Sequence, residues 1–317
     1  MKNKKYVKER ISVVIPLYGS FDEKKAILTA ESALRQKNID VEVVIAEEGV
    51  KPKLNNVLPN QVKHIFTYFK QSENISDYNP GSSRNGAISI ATGEFIYTND
   101  ADVLFLNKNY LSNLVEILIK FPDLSLQRPP MRRLPLEEFS ALTKVVKKKG
   151  LENAIQNLDF SQEFIATITQ KKYHIKSVHK LSEGYLKTFT IDKKNYDKFM
   201  VNREKYLGYE PTIWSENLHV GGNIFYRHFF DEVGGYCENY VNWGCEDSDL
   251  QWKLSKISKL AFIPKTKDFE VLHLDHPKGY FSSEMWKKNE EISIQRMNAG
   301  YADAIKKDLK RFGQKWN

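Results

Sequence analysis

Short apolar runs alternate with amphipathic stretches over the first 120 residues. Runs at residues 11–17, 41–46, 64–69 and 95–98 are predicted strands, being rich in β-branched and aromatic side chains and bounded by polar segments. Between the first two, Ile27, Ala30 and Leu34 recur at helical spacing, and after the fourth Leu111, Leu114, Ile117 and Leu118 do the same. Strands alternating with amphipathic helices predict an α/β fold, a Rossmann-like, mostly parallel central sheet flanked by helices. No Gly-x-Gly-x-x-Gly follows the first strand, so the fingerprint of a dinucleotide dehydrogenase is missing.

The pattern then changes. Residues 128–217 are lysine-rich, turn helical around 136–149, and continue into aromatics, polar clusters and the histidines His174 and His179. They read as a helical insertion, a subdomain for the acceptor of whatever group is moved. From His219 order returns: a glycine pair, an apolar segment, an acidic cluster ahead of a helix marked by Leu250, Leu254 and Ile257, and a strand ending in His273. Residues 283–317 are helical and basic. The predicted organisation is therefore a nucleotide-binding half at 1–127, an insertion at 128–217, a catalytic half at 218–282 and a basic C-terminal segment at 283–317.

Composition narrows the class. With 41% hydrophobic and 12% aromatic residues the chain can bury a substantial core. No apolar run approaches the roughly 20 residues that cross a bilayer, and the first ten residues are charged, so a cytoplasmic protein is expected. Cys237 and Cys245 are too few for a disulfide framework and are expected to be reduced and structural. The net charge of +8 favours polyanionic partners, nucleotide phosphates and anionic membranes included. Lysine is spread along the whole chain and no nucleic-acid motif appears, so no nucleic-acid partner is expected.

Three constellations can do chemistry. In Thr98-Asn99-Asp100-Ala101-Asp102 an apolar strand runs into two carboxylates two residues apart, at the end of a sheet strand where open α/β sheets bind ligands. A hard divalent ion bridging a diphosphate takes one or two carboxylates plus phosphate oxygens, and this pair can supply them; the bland alternative is a solvated turn. In Asn242-Trp243-Gly244-Cys245-Glu246-Asp247-Ser248-Asp249, acids open a helix. They either complement the helix dipole or, beside an aromatic wall and a glycine that lets a ligand approach, provide a base toward a bound hydroxyl. Leu272-His273-Leu274-Asp275-His276-Pro277 ends a strand with two imidazoles, one of which can complete a metal site begun by Asp102. His64, His174, His179, His219 and His228 read as structural.

With these residues in place a family resemblance emerges. Ser12-Val13-Val14-Ile15-Pro16-Leu17-Tyr18 resembles the opening strand of family 2 glycosyltransferases of the GT-A fold. Gly81-Ser82-Ser83-Arg84-Asn85-Gly86-Ala87, followed by Ala91-Thr92-Gly93-Glu94-Phe95-Ile96, resembles their helix leading into the Asp-x-Asp strand. Gly221-Gly222-Asn223-Ile224-Phe225-Tyr226, Val233-Gly234-Gly235-Tyr236 and Trp243-Gly244-Cys245-Glu246-Asp247 are similar to the C-terminal motif of bacterial chondroitin-polymerase-like enzymes and galactosyl or N-acetylgalactosaminyl transferases. The matches cover about two thirds of the chain and leave out 128–217.

The resemblance implies a metal-dependent inverting glycosyltransferase that moves a hexose or N-acetylhexosamine from a UDP-sugar to a carbohydrate or lipid-linked glycan hydroxyl, in polysaccharide or glycan synthesis. It implies that Pro16, Tyr18 and Glu47 line the uridine pocket, that Arg84 approaches the donor, and that Asp100 contacts ribose or the donor sugar. Asp102 would hold Mn2+ or Mg2+ with His273 or His276, Asp247 would be the base, and Trp243, Gly244 and Glu246 would form the acceptor wall. The alternatives are a nucleotide-sugar-binding protein with weakened catalysis and a nucleotidyltransferase. Two departures stand out. Glu47-Glu48-Gly49 replaces the family's two aspartates and glycine, and Gly244-Cys245 replaces a glycine pair, which would narrow the acceptor side. The basic C-terminal helix, with Tyr301, Ile305, Leu309 and Phe312 beside its lysines, is expected either to touch an anionic membrane peripherally or to cap the domain.

Overall fold

The computed structural model describes residues 6–18, 21–68, 78–127, 131–158, 222–242, 244–263, 267–276 and 282–311. Its main sheet has seven strands in the order β3-β2-β1-β4-β8-β6-β9, formed by Val62–Tyr68, Asp40–Gly49, Val7–Tyr18, Gly93–Thr98, Asn223–Tyr226, Leu124–Gln127 and Lys259–Phe262. β3, β2, β1 and β4 are mutually parallel, β8 runs antiparallel to both β4 and β6, and β9 is parallel to β6. The four expected strands are all present, each within a few residues of its predicted limits.

The β1 sequence is apolar almost without alternation because both of its faces are covered, as parallel sheets require. Ile11, Val13, Ile15 and Leu17 face a core shared with Ala26, Ala30 and Ala33 of α1 (Glu23–Leu34) and Leu111, Leu114 and Leu118 of α3 (Tyr110–Lys120). Val14 points the other way, into a core with Ala87 and Ile88 of α2 (Pro80–Ile90). Asp22 caps α1 by accepting a hydrogen bond from the Lys24 amide at 3.0 Å. Asn79 caps α2 from the Ser82 amide at 2.8 Å, and Pro80 opens that helix where its missing N–H costs nothing. Gly93 is required by close approach, since a Cβ there would lie 2.6 Å from Ser12 Oγ and 2.8 Å from Arg10 O.

A second, three-stranded sheet sits at the carboxyl edge of the first: β5 (Val103–Phe105) antiparallel and β7 (Arg132–Leu134) parallel to a central β10 (Val271–Leu274). The start of the expected insertion is thus woven into the fold. After β7, α4 (Phe139–Gln156) breaks helical geometry at Gly150, φ 79°, just beyond the predicted end, and resumes. Its Leu142, Leu151, Ala154 and Ile155 pack with Leu104, Leu272 and Leu274 under the small sheet. Residues 159–221, with His174, His179 and His219, lie outside the described residues.

The second half adds α5 (Arg227–Glu232), α6 (Glu246–Leu254), α7 (Ser283–Ala299) and α8 (Tyr301–Arg311). Ile257, expected on α6, falls past its end. Of the residues expected to meet a membrane or cap the domain, Tyr301 and Ile305 pack with Ala304 and Met297 against the second core, as a cap would, Leu309 is exposed, and Phe312 is outside the described residues. Among the described residues no helix is long and apolar enough to cross a membrane. Both cysteines are free, Cys237 buried and Cys245 partly so.

Candidate active site

The carboxyl ends of β1, β2 and β4 share one edge, and the turn leaving β4 is fixed there. The Asn99 amide donates to Val14 O at 2.9 Å, Asn99 Nδ2 to Val103 O at 2.8 Å, and Thr29 Oγ1 of α1 to Ala101 O at 3.1 Å. The turn sends Asp100 and Asp102 to different partners.

Asp102 meets the end of β10. Val103 is in register with His273, and the Leu274 amide donates to Asp102 O at 2.8 Å. His276 Nε2 lies 3.0 Å and His273 Nε2 3.4 Å from Asp102 Oδ2. One ligand atom from each of these three residues lies within 4.8 Å of the other two. Burial alone would raise the pKa of Asp102, but the two imidazoles outweigh it and leave the carboxyl below its ordinary value. A carboxylate with two imidazoles is a donor set that suits a divalent transition ion with positions left open, so the residues present fit Mn2+.

The ends of this cluster are braced. Asp275 Oδ1 lies 2.9 Å from His273 Nδ1 and is also ion-paired with Arg133, which turns the other ring nitrogen toward Asp102. Lys25, a buried lysine of α1, donates to Asp275 O at 2.6 Å and to Leu274 O at 3.4 Å. Phe21 packs edge-on against His276, with centroids 5.6 Å apart.

Asp100 turns toward α2 and α6. Arg84, 4% exposed, places Nη2 3.1 Å from Asp100 Oδ1 and 3.6 Å from Asp247 Oδ2, and Nη1 3.1 Å from Glu246 Oε1. The guanidinium expected near the donor is therefore engaged by three acids. Burial opposes its charge, yet Asp247, Glu246 and Asp100 outweigh that and raise its pKa. Asp247 is 7% exposed, and burial, with Glu246 and Asp100 as like charges, pushes its carboxyl up to about 7 against the pull of Arg84 and of the Tyr236 hydroxyl. Tyr236 donates to Asp247 Oδ1 at 3.1 Å. A buried carboxyl poised near neutrality, beside a fixed cation, is what a proton acceptor at ordinary pH requires.

The remaining expected residues lie elsewhere. Pro16, Tyr18 and Glu47 are buried at the ends of β1 and β2, with the Tyr18 and Tyr78 rings 5.4 Å apart. The Glu47 carboxylate accepts from the Lys53 and Leu54 amides at 2.7 and 3.3 Å and meets His64 Nε2 at 3.0 Å, so it serves its own loop. Gly244 adopts φ 104° against the Trp286 indole; Trp243 is outside the described residues. Lys25, Arg133 and the inner face of α7 carry no motif signature in the sequence, because their partners are remote in it; Tyr236 stands in a motif that does not reveal its bond to Asp247. A buried-looking lysine among Ala26, Leu28 and Ala30 was the available signal for the first.

Two family models match the chain. The model of glycosyl transferase family 2 matches residues 12–182, and that of the N-terminal domain of galactosyltransferase matches residues 206–277. No curated protein matches the sequence significantly. Among solved structures, S. aureus TarS 1–349 in complex with UDP-GlcNAc is 14% identical, with a TM-score of 0.51 over 96% of this chain and 72% of that one. GalNAc-T7 with UDP, GalNAc and Mn2+ is also 14% identical, with a TM-score of 0.53 over 93% of this chain and 48% of that one. At such identities the likeness is one of fold.

Proposed function

The chain belongs to glycosyl transferase family 2, and from that premise we propose that it moves a hexose or N-acetylhexosamine from a UDP-sugar to a carbohydrate hydroxyl, with inversion, in cell-surface polysaccharide or glycan synthesis. One observation carries the reading. The turn after β4 offers Asp102 to a three-residue donor set and Asp100 to the arginine that also holds Asp247, so a candidate metal position and a candidate base stand on the two sides of one turn.

In this reading the uridine lies against Pro16 and Tyr18 with Glu47 beneath, and Asp100 orients ribose or the donor sugar. Asp102, His273 and His276 hold Mn2+ or Mg2+, which when bound supplies neutralising charge to the diphosphate. Asp247 takes the proton of the acceptor hydroxyl as its oxygen bonds to the anomeric carbon. The anomeric C–O bond breaks as that bond forms, UDP departs with the electron pair, and configuration inverts because attack and departure are on opposite faces. Arg84, itself paired with Glu246, keeps Asp247 in place. Trp243 and Gly244 would form the acceptor wall, and Cys245, where the family has glycine, narrows it. Membrane contact has no part in the reading: Tyr301 and Ile305 pack on the core, and of the expected apolar side of α8 Leu309 alone among the described residues stands exposed.

A panel of UDP-Gal, UDP-GalNAc, UDP-Glc, UDP-GlcNAc and UDP-GlcA, scored for UDP release with Mn2+ and with EDTA, tests it. Metal-dependent release from at least one donor is expected. Release of pyrophosphate from UTP, with no UDP from any sugar, would replace this reading by nucleotidyl transfer.

A further inference from the structure

Asp247 sits between two segments that α7 holds. Trp286, Asn289, Ser293 and Arg296 follow one another at steps of three, four and three residues and so share one face of that helix. The face is polar and still buried: Asn289 is 1% exposed, Ser293 7% and Arg296 8%. Each of its residues meets the chain around α6. Trp286 Cδ1 and Nε1 lie 2.9 and 3.2 Å from where a Cβ on Gly244 would stand. Asn289 Nδ2 donates to Val241 O at 2.8 Å and to Gly244 O at 3.1 Å, and its Oδ1 accepts from the Val241 amide at 3.3 Å. Ser293 hydrogen-bonds the Tyr240 hydroxyl. Arg296 grips Asp249 with two nitrogens, at 2.7 and 3.0 Å.

The segment held by Asn289 is strained. Asn242, Gly244 and Cys245 have φ of 66°, 104° and 75°, a region that glycine enters freely and asparagine more readily than most residues, but that costs a residue such as Cys245 roughly 1–2 kcal/mol. Such a run persists only where its surroundings over-determine it. Its geometry passes directly to the acids, because Cys245 O accepts the Asp249 amide at 2.9 Å and so starts α6. Arg296 acts on the far side within a buried ion cluster, where Asp308 of α8 also binds Lys253 at 2.6 Å. That cluster holds the helices together. Asn289 is neutral, and its hydrogen bonds to Val241 and Gly244 go to the loop.

We propose that Asn289 is a positioning residue for Asp247: through its hydrogen bonds to Val241 and Gly244 it holds the left-handed approach to α6 that sets where the base stands. The proposal rests on the reading of Asp247 as base. A misplacement of about 1 Å can cost a reaction up to a hundredfold, and a loosened loop that samples the right position part of the time should cost about tenfold.

The test uses the full chain with Asn289→Ala and Asn289→Asp, the second keeping the acceptor but setting lone pairs against the carbonyls of Val241 and Gly244. With the best donor of the panel and water as acceptor, kcat for UDP release per folded molecule should fall about tenfold in both, while donor KM and the Kd for UDP with Mn2+ stay within about twofold. Hydrogen exchange at the Asp249 amide should speed up in both variants. Unchanged kcat per folded molecule, whatever the change in Tm, overturns the proposal, as does an equal loss of UDP affinity. If the wild type releases UDP from no donor, the function read above has failed, and the exchange arm alone decides: an unaltered Asp249 rate refutes the positioning role.

Discussion

Tyr236→Phe is the sharpest probe of the base because it removes one oxygen and little else. The phenol ring is buried, packs at a tilt against Phe230 with 6.1 Å between centroids and lies under the Arg84 guanidinium at 5.3 Å, contacts a phenylalanine keeps. What is lost is the hydrogen bond to Asp247 Oδ1 at 3.1 Å, together with the one the hydroxyl makes with the Thr98 side chain, which does not touch the acid. A hydrogen bond to a charged group contributes about 1.5–3 kcal/mol. The protonated acid also accepts such a bond, so about half of that separates the two forms. At 1.36 kcal/mol per unit, that half lifts the carboxyl by about one unit, from about 7 toward about 8. A base must be ionised, so kcat/KM rises with pH through this value and the acid limb should move up with it. At pH 7 the ionised fraction drops from about half to about a tenth, a fall of roughly fivefold in kcat/KM. Above about pH 9 the two enzymes should converge. UDP release measured from pH 5.5 to 9.5 reads this directly. An acid limb that does not move, or a uniform loss at every pH, would mean that Tyr236 does not tune the group whose ionisation limits the reaction.

Other outcomes follow from the same geometry. Asp247→Asn should leave UDP and metal affinity intact while transfer falls about a hundredfold or more; near wild-type transfer would send the search for the base to Glu246 or Asp249. Because the folded Asp247 keeps its proton to about 7 and an unfolded one releases it near about 4, the wild type loses stability as pH rises from about 4 through about 7. The Tm of Asp247→Asn relative to wild type should therefore be more favourable at pH 8 than at pH 5, and calorimetry showing the same difference at both would refute the raised value. Asp102→Asn should weaken Mn2+ and UDP binding together by about tenfold or more in titration calorimetry, whereas unchanged Mn2+ affinity would remove Asp102 from the metal site. Cys245→Gly should relieve the left-handed cost of about 1–2 kcal/mol at the expense of about 0.5–1 kcal/mol of chain entropy. A small net gain in urea denaturation is expected, and a loss would show that the thiol packs better than its backbone suggests.

The candidate site was legible wherever its chemistry is local. Asp100 and Asp102 follow an apolar strand, Glu246 and Asp247 open a helix, and His273 ends a strand, so residue type and element together marked each one. Their division of labour was not legible. Asp100 and Asp102 are two residues apart yet face different partners, because β5 pairs with β10 and turns the chain between them. Arg84 reads from its motif as a donor contact; only three-dimensional proximity shows three acids around it. The parallel strands were visible because burial on both faces leaves an unbroken apolar run. The polar inner face of α7 was invisible for the opposite reason: Asn289, Ser293 and Arg296 look like solvent positions until Val241, Tyr240 and Asp249 are set against them. The short β7 carries Arg132 and Arg133, whose charges hide its place beside β10.

The antiparallel strand β8 has a consequence for how the protein is made. β4 leads into the turn that carries the two aspartates, and on one side its partner is β1, some 80 residues earlier; on the other it is β8, about 130 residues later. A nascent chain leaving the ribosome can thus assemble β1, β2, β3 and β4 well before β8 exists, and it must wait with one side of β4 unpaired. An open strand edge flanked by apolar surface is a template for pairing between chains, and closing so long a loop is slow. Expression at lower temperature, or with chaperones that shield exposed strands, should thus favour yield more than any change to the finished enzyme's surface, because the hazard belongs to a half-synthesised molecule.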